Sequence, residues 1–256
     1  MKLFLLLLVC CSFAVAAQDL SMYQKKEFTS PEGDTLKYRI LFPEDYDGRK
    51  KFPLILVLHG AGERGSDNEK QLVHGSKLFL DPAVRKRFPA IVVFPQCPAE
   101  SYWSSVKIDR NQTPLELDFD YTRPATEPLT LSIKLVEDLI RTERVDARCV
   151  YITGLSMGGM GTFEAVHRNP GLFAAALPIC GGGDTANYRQ VDTPFWVFHG
   201  DADAVVDVKY SRTMVDRLKE LKVKVRYTEY PGVNHNSWDN AFAERRYLKW
   251  MFGKRR

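Results

Sequence analysis

A serine attacks a carbonyl when an imidazole takes its proton and a carboxylate holds that imidazole. The 256-residue chain offers such a serine in YITGLSMGGMG (151–161), where Ser156 lies among Gly154, Gly158, Gly159 and Gly161 after a run of β-formers. GLSMG fits G-x-S-x-G, the sharp strand-to-helix turn that lifts a hydroxyl above a sheet. At such a turn side chains at Gly154 and Gly158 would collide, and Gly159 and Gly161 let the following helix pack close to the strands. A glycine-rich helix start made only for packing is the plainer alternative. A phosphate cradle would want G-x-x-x-x-G-K-[ST], and no lysine follows here.

At a turn of this kind the acid follows the serine and the histidine comes last. His59 and His199 each close a strand as HG, where an imidazole bonded to backbone is expected. His74 lies in a polar stretch and His167 on the helix after the serine, so solvated or packing roles are their default. His235, in PGVNHNSWDN beyond the last strand, satisfies the order and is the expected base. For the acid, HGDADAVVD offers Asp201, Asp203 and Asp207, all of which could be ordinary turn carboxylates. Direction favours one close to Gly200 but does not separate Asp201 from Asp203. An oxyanion needs two backbone N–H groups: Met157, after the nucleophile, supplies one, and Ala61 in the loop HGAGERGSDN supplies the other. Glu63 and Arg64 beside it could contact substrate, with a solvated loop pair as the plainer reading.

These residues need a scaffold. Segments 37–42, 53–59, 90–95, 149–153, 173–179, 195–199 and 223–230 read as strands, several apolar on both faces as buried parallel strands are. Segments 129–143, 160–168, 209–221 and 240–252 carry apolar residues at helical spacing. The alternation predicts a mostly parallel sheet of about eight strands with helices on both faces. KEFTS and KYRILF, joined by PEGD, predict an antiparallel hairpin at one edge. Residues 97–128 fit no alternation and read as a long structureless connection, aromatic enough to argue against disorder. This stretch follows a strand at the carboxyl end of the sheet, where a lid-like insertion could lean over a site.

Composition is ordinary for a globular chain: 45% hydrophobic and 27% charged, with 36 basic residues interleaved with 32 acidic ones. No field strong enough to gather nucleic acid follows from that pattern. Residues 1–17, MKLFLLLLVCCSFAVAA, have the three parts of a secretory signal and fall short of a membrane span. The expectation is therefore a signal peptide, a single catalytic domain over 18–256, and a secreted or periplasmic protein. Lipidation at Cys10 or Cys11 is less well matched, because Val9 and Cys10 precede them. Cys97, Cys149 and Cys180 fall too far apart on the predicted sheet to pair and are expected to be free. The sequon at Asn111 matters only in a glycosylating host. No His, Cys or carboxylate cluster has metal-ligand spacing, so no metal and no cofactor is implied.

With LHGAGERG, GLSMGG, HGDADAVV and GVNHNSW in this order, nearly the whole presumed mature chain resembles the α/β-hydrolase superfamily. It is most similar to the small serine esterases: carboxylesterases, and the dienelactone-hydrolase-like and polyhydroxybutyrate-depolymerase-like groups. The resemblance implies the α/β-hydrolase fold and, through HGxxDxxV, puts the acid on Asp203. It implies an ester hydrolase working through an acyl-enzyme with Ser156, His235 and Asp203, on a small-molecule or polymer-borne ester. Trp103, Phe119, Tyr121 and Trp238 are expected near the mouth, Trp103 and Trp238 as substrate contacts for a bulky or aromatic ester such as a feruloyl or acetyl group on a polysaccharide. Packing of the insertion onto the core is the equal alternative for these aromatics. A serine peptidase of the same fold, or a binding protein on a hydrolase scaffold, are the rival readings.

Overall fold

The computed structural model describes residues 19–256; the expected signal peptide, with Cys10 and Cys11, lies outside the described residues. In chain order the elements are β1 (Gln24–Thr29), β2 (Thr35–Leu41), β3 (Phe52–Leu58), α1 (Ser76–Leu80), α2 (Pro82–Arg87), β4 (Ile91–Pro95), β5 (Val106–Asp109) and β6 (Glu116–Phe119). They continue with α3 (Glu127–Thr142), β7 (Val145–Leu155), α4 (Met157–Arg168), β8 (Ala175–Ile179), β9 (Phe195–Gly200), α5 (Lys209–Glu220), β10 (Val225–Tyr230), α6 (Trp238–Ala243) and α7 (Tyr247–Phe252).

Eight strands form the main sheet in the order β1-β2-β4-β3-β7-β8-β9-β10. The β1–β2 hairpin lies at the edge and β2 runs antiparallel to β4, whereas every pairing from β4 through β10 is parallel. The strand pleat divides the core in two. Leu54, Leu56 and Leu58 of β3 point to one face, where they join Leu135 and Leu139 of α3, Phe163 and Val166 of α4, and Met214 and Leu218 of α5. Ile55 and Val57 point to the other, with Phe79 of α1, Ala241 of α6 and Met251 of α7. Both faces being covered, the central strands are apolar throughout.

Three expectations change. The helix expected over 240–252 is two, α6 and α7, broken where Glu244 turns extended. Short α1 and α2 were not anticipated, although Asp81-Pro82 carries a start signal: the Asp81 carboxylate accepts the Ala83 and Val84 N–H groups ahead of a first-turn proline. The connection 97–128 is not structureless, since β5 and β6 pair within it as a separate two-stranded ribbon.

Two groups of bonds help fasten that connection to the core. The buried Glu164 carboxylate of α4 accepts bonds from Ser104 Oγ, Ser105 N and Ser105 Oγ, and the Arg168 guanidinium pairs with it at 2.7 Å. Further along, Leu115 N donates to Val205 O, and Leu117 N donates to the Tyr210 hydroxyl of α5. Cys97, Cys149 and Cys180 are free and buried.

Candidate active site

The site grows out of β7, a central strand with four strands on one side of it in the sheet and three on the other. Its last residue, Leu155, hands over to Ser156 at φ +54° and ψ −118°, a conformation that side chains other than glycine rarely adopt. Close approach explains the glycines around it. A Cβ on Gly154 would overlap the Gly158 carbonyl, and one on Gly158 would overlap the Leu58 carbonyl of β3. Gly159 lies against the Ile179 carbonyl of β8 as expected, but Gly161 makes room chiefly for Trp103, whose Cβ would be 2.5 Å from an added one.

Ser156 Oγ lies 3.0 Å from His235 Nε2, and His235 Nδ1 lies 2.8 Å from Asp203 Oδ2. Asp203 thus reaches the histidine, while Asp201 turns to the Gly232 N–H and Asp207 to the Lys209 N–H. Asp203 is almost wholly buried. Burial alone would raise its carboxyl, but bonds from His199, His235 and the Val205 N–H outweigh that and hold it well below the usual carboxylate range. Four donors converge: the two imidazoles on Oδ2, and the Val205 and Val206 N–H groups on Oδ1.

His199 was expected to bond only to backbone. It does meet Val206 O at 2.9 Å, but it also stands 3.1 Å from Asp203 Oδ2 and 2.7 Å from Ser211 Oγ, fully buried. The four-residue spacing from His199 to Asp203 in HGDAD was the one signal for this contact. Cys180, also at a positive φ, brings its thiol within 4.8 Å of donor atoms on Asp203 and His235. Asp203 and His235 are engaged with each other, and burial pushes the Cys180 thiol up; this close grouping was not anticipated from the sequence spacing.

Ala61 opens a short 3-10 turn after β3 and Met157 opens α4. Both N–H groups are of the kind that a helix start leaves without an internal acceptor. His59, as expected, bonds to backbone: Nδ1 to Gly60 O at 2.6 Å, and Nε2 accepting the Cys97 N–H at 3.0 Å. Burial pulls it down to about 4, so this imidazole is neutral.

A cavity of about 300 Å³ lies over Ser156 and His235, walled by Gly60, Ala61, Tyr102, Leu115, Val206 and Trp238. Trp238 packs between the rings of His235 and His74. His74 and Glu63 also face this cavity, 3.8 Å apart; His74 was expected to be solvated or packed, and for Glu63 the substrate contact was the secondary reading. Trp103 requires a correction. Rather than lining the mouth it is fully buried, its indole N–H donating to His59 O and its ring edge-on to His59, because the space beside Gly161 accepts it. Tyr102, one residue earlier, is the aromatic that reaches the cavity. Tyr121 is likewise buried, and Phe119 packs on Tyr210.

A hydroxyl, an imidazole and a buried carboxylate bonded in series, with two N–H groups nearby, can carry out acyl transfer. A family model described as PET hydrolase-like matches residues 129–253. A crystal structure of a thermostable esterase is similar at 38% identity and a TM-score of 0.82, the match covering 92% of this chain and 64% of that one. A ferulic acid esterase from Anaeromyces mucronatus, solved with ferulic acid, matches at 16% identity and a TM-score of 0.65 over 90% of each chain, a likeness of fold. Acyl-protein thioesterase 1 of Neurospora crassa is 44% identical over 46 residues, which are 18% of this chain and 19% of the relative. The chain therefore spans 64% of the thermostable esterase and about a fifth of that thioesterase.

Proposed function

We propose that this protein, whose chain has the α/β-hydrolase fold, is a serine hydrolase of carboxylic esters. The observation that carries this is the unbroken series Ser156 Oγ, His235 and Asp203 at 3.0 and 2.8 Å, begun by a serine in a strained turn. His235 takes the proton from Ser156 as Oγ attacks the ester carbonyl. Asp203, ionised by its four donors, orients the ring and stabilises the imidazolium. The Ala61 and Met157 N–H groups receive the oxyanion. The alcohol leaves with the proton His235 returns, and water then releases the acyl group by the same route.

For the substrate we favour a bulky or aromatic acyl group, feruloyl among them, or an acetyl group on a polysaccharide. Trp238 beside His235 supports an aromatic wall, and the fold likeness to a ferulic acid esterase agrees with it. The 97–128 insertion supplies Tyr102, Arg110 and Leu115 to the cavity and in this reading acts as a fixed lid. Residues 1–17 support export by their three-part pattern; among the described residues no helix is long and apolar enough to cross a membrane.

Short p-nitrophenyl esters test the assignment. Ser156→Ala should lower their turnover by at least about a thousandfold with the fold intact. A residual rate above a tenth of the parent's would reject Ser156 as nucleophile.

A further inference from the structure

Beside the cavity over Ser156 lies a wider cleft of about 670 Å³, and the two share Tyr102 and Arg110 as lining residues. Three arginines line the wider cleft: Arg64 after the oxyanion loop, Arg110 at the turn of the β5–β6 ribbon, and Arg123 at its far side. Glu100 is the lone carboxylate among its lining residues. Arg123 is paired with Asp120 at 3.0 Å. Arg64 donates from Nε to Ala61 O and from Nη1 to Ser101 O, with its guanidinium 5.4 Å from the Tyr102 ring centre. Its remaining N–H groups, and all of those on exposed Arg110, have no carboxylate partner among the described residues.

Both guanidiniums flank the same phenol. Burial pushes Tyr102 up, and Arg110 and Arg64 pull against it, which places two positive charges at the junction of cleft and cavity. Guanidinium forks match planar carboxylates and hold them by paired hydrogen bonds. The cleft is open and mixes an aromatic face with serine and arginine donors, surroundings that suit a sugar ring and are poor for an alkyl chain, which would strip water from the cations without replacing it.

We propose that this cleft binds an acidic saccharide chain, uronate carboxylates pairing with Arg64 and Arg110, so that ester groups borne on such a chain are presented to Ser156. Presentation rests on the esterase reading above; binding does not. The experiment therefore separates the two by using Ser156→Ala protein, which holds the chain without turning it over.

Calorimetry would compare a galacturonic acid hexamer with the same hexamer fully methyl-esterified, which keeps the sugars and removes the charge. The acid should bind at least about tenfold more tightly at low salt and lose most of that advantage at high salt. Arg110→Gln, a change at an exposed position that spares the fold, should remove about tenfold of the acid's affinity, and Arg110→Lys less, because it keeps charge but not the fork. Equal affinity for the two hexamers, no binding of either, or indifference to Arg110→Gln and Arg110→Glu would overturn the proposal. Separately, wild-type protein inert toward every p-nitrophenyl ester would overturn the esterase reading and leave the binding result standing.

Discussion

Strands β3 and β9 both leave the sheet through a His-Gly pair, and the pairs do different things. His59 has a backbone N–H donor at Nε2, so its own proton must sit on Nδ1 and face Gly60 O. His199 has two oxygen acceptors at Nε2, Asp203 and Val206, so its proton must sit there instead. One imidazole pins the loop after β3 to the start of the insertion; the other shares the carboxylate that holds His235. The glycines differ as well. A Cβ on Gly60 would meet the Glu63 carboxylate and a Leu155 methyl at 2.9 Å, both flexible side-chain ends. One on Gly200 would overlap the Val233 carbonyl, rigid backbone two residues from His235. The same dipeptide thus supports a loop on one side and the Asp203–His235 contact on the other.

The largest expected contrast is between the tryptophans on the two sides. Trp103→Ala, on the β3 side, empties a fully buried site and should cost about 3–5 kcal/mol in denaturant unfolding. Trp238→Ala, on the β9 side, should cost much less and instead change the ratio of feruloyl to acetyl ester turnover by at least about threefold. Equal stability losses would erase the distinction. Next come the glycines: Gly200→Ala should cost about 3 kcal/mol and most of the activity, Gly60→Ala about 1 kcal/mol, read by the same unfolding assay.

His199→Ala removes a donor from an ionised carboxylate, a bond of about 1.5–3 kcal/mol. Its kcat/KM should fall roughly 10- to 100-fold, with KM little changed, at about 1.4 kcal/mol per tenfold. His59→Ala should lose stability first and catalysis less; the reverse ranking would contradict the division of roles. The smallest effect is in the pH dependence of stability. His59 and His167 are each drawn by burial from 6.5 to about 4. Between those values the unfolded chain binds more protons, so stability is complete above about pH 6.5 and declines toward pH 4. His59→Gln should shallow that decline, and His167 should keep part of it.

Where the sequence was informative, pattern length explains it. Strands β3, β4, β7, β8 and β9 were legible because a strand buried on both faces is apolar at nearly every position; chain order singled out Ser156 and His235, and Asp203 only through the resemblance carried by HGDADAVV. Ribbon β5–β6 offers only four residues a side, Val106–Asp109 and Glu116–Phe119, too few for alternation to stand out. The break between α6 and α7 leaves apolar spacing intact on both sides of Glu244, so periodicity ran through it. Trp103 could not be placed without knowing that Gly161 leaves a space for its ring. The Glu63 and His74 pair in the cavity depends on a loop path that no periodic signal describes.

The central claim is that Oγ of Ser156 becomes acylated. Intact-mass and peptide mapping after quenching a p-nitrophenyl ester reaction, or after labelling with a fluorophosphonate, reads this directly. The account predicts one adduct, on the peptide carrying Ser156, absent from Ser156→Ala and strongly reduced in His235→Ala. Ester turnover with an adduct on a different residue, or labelling that survives Ser156→Ala, would contradict it.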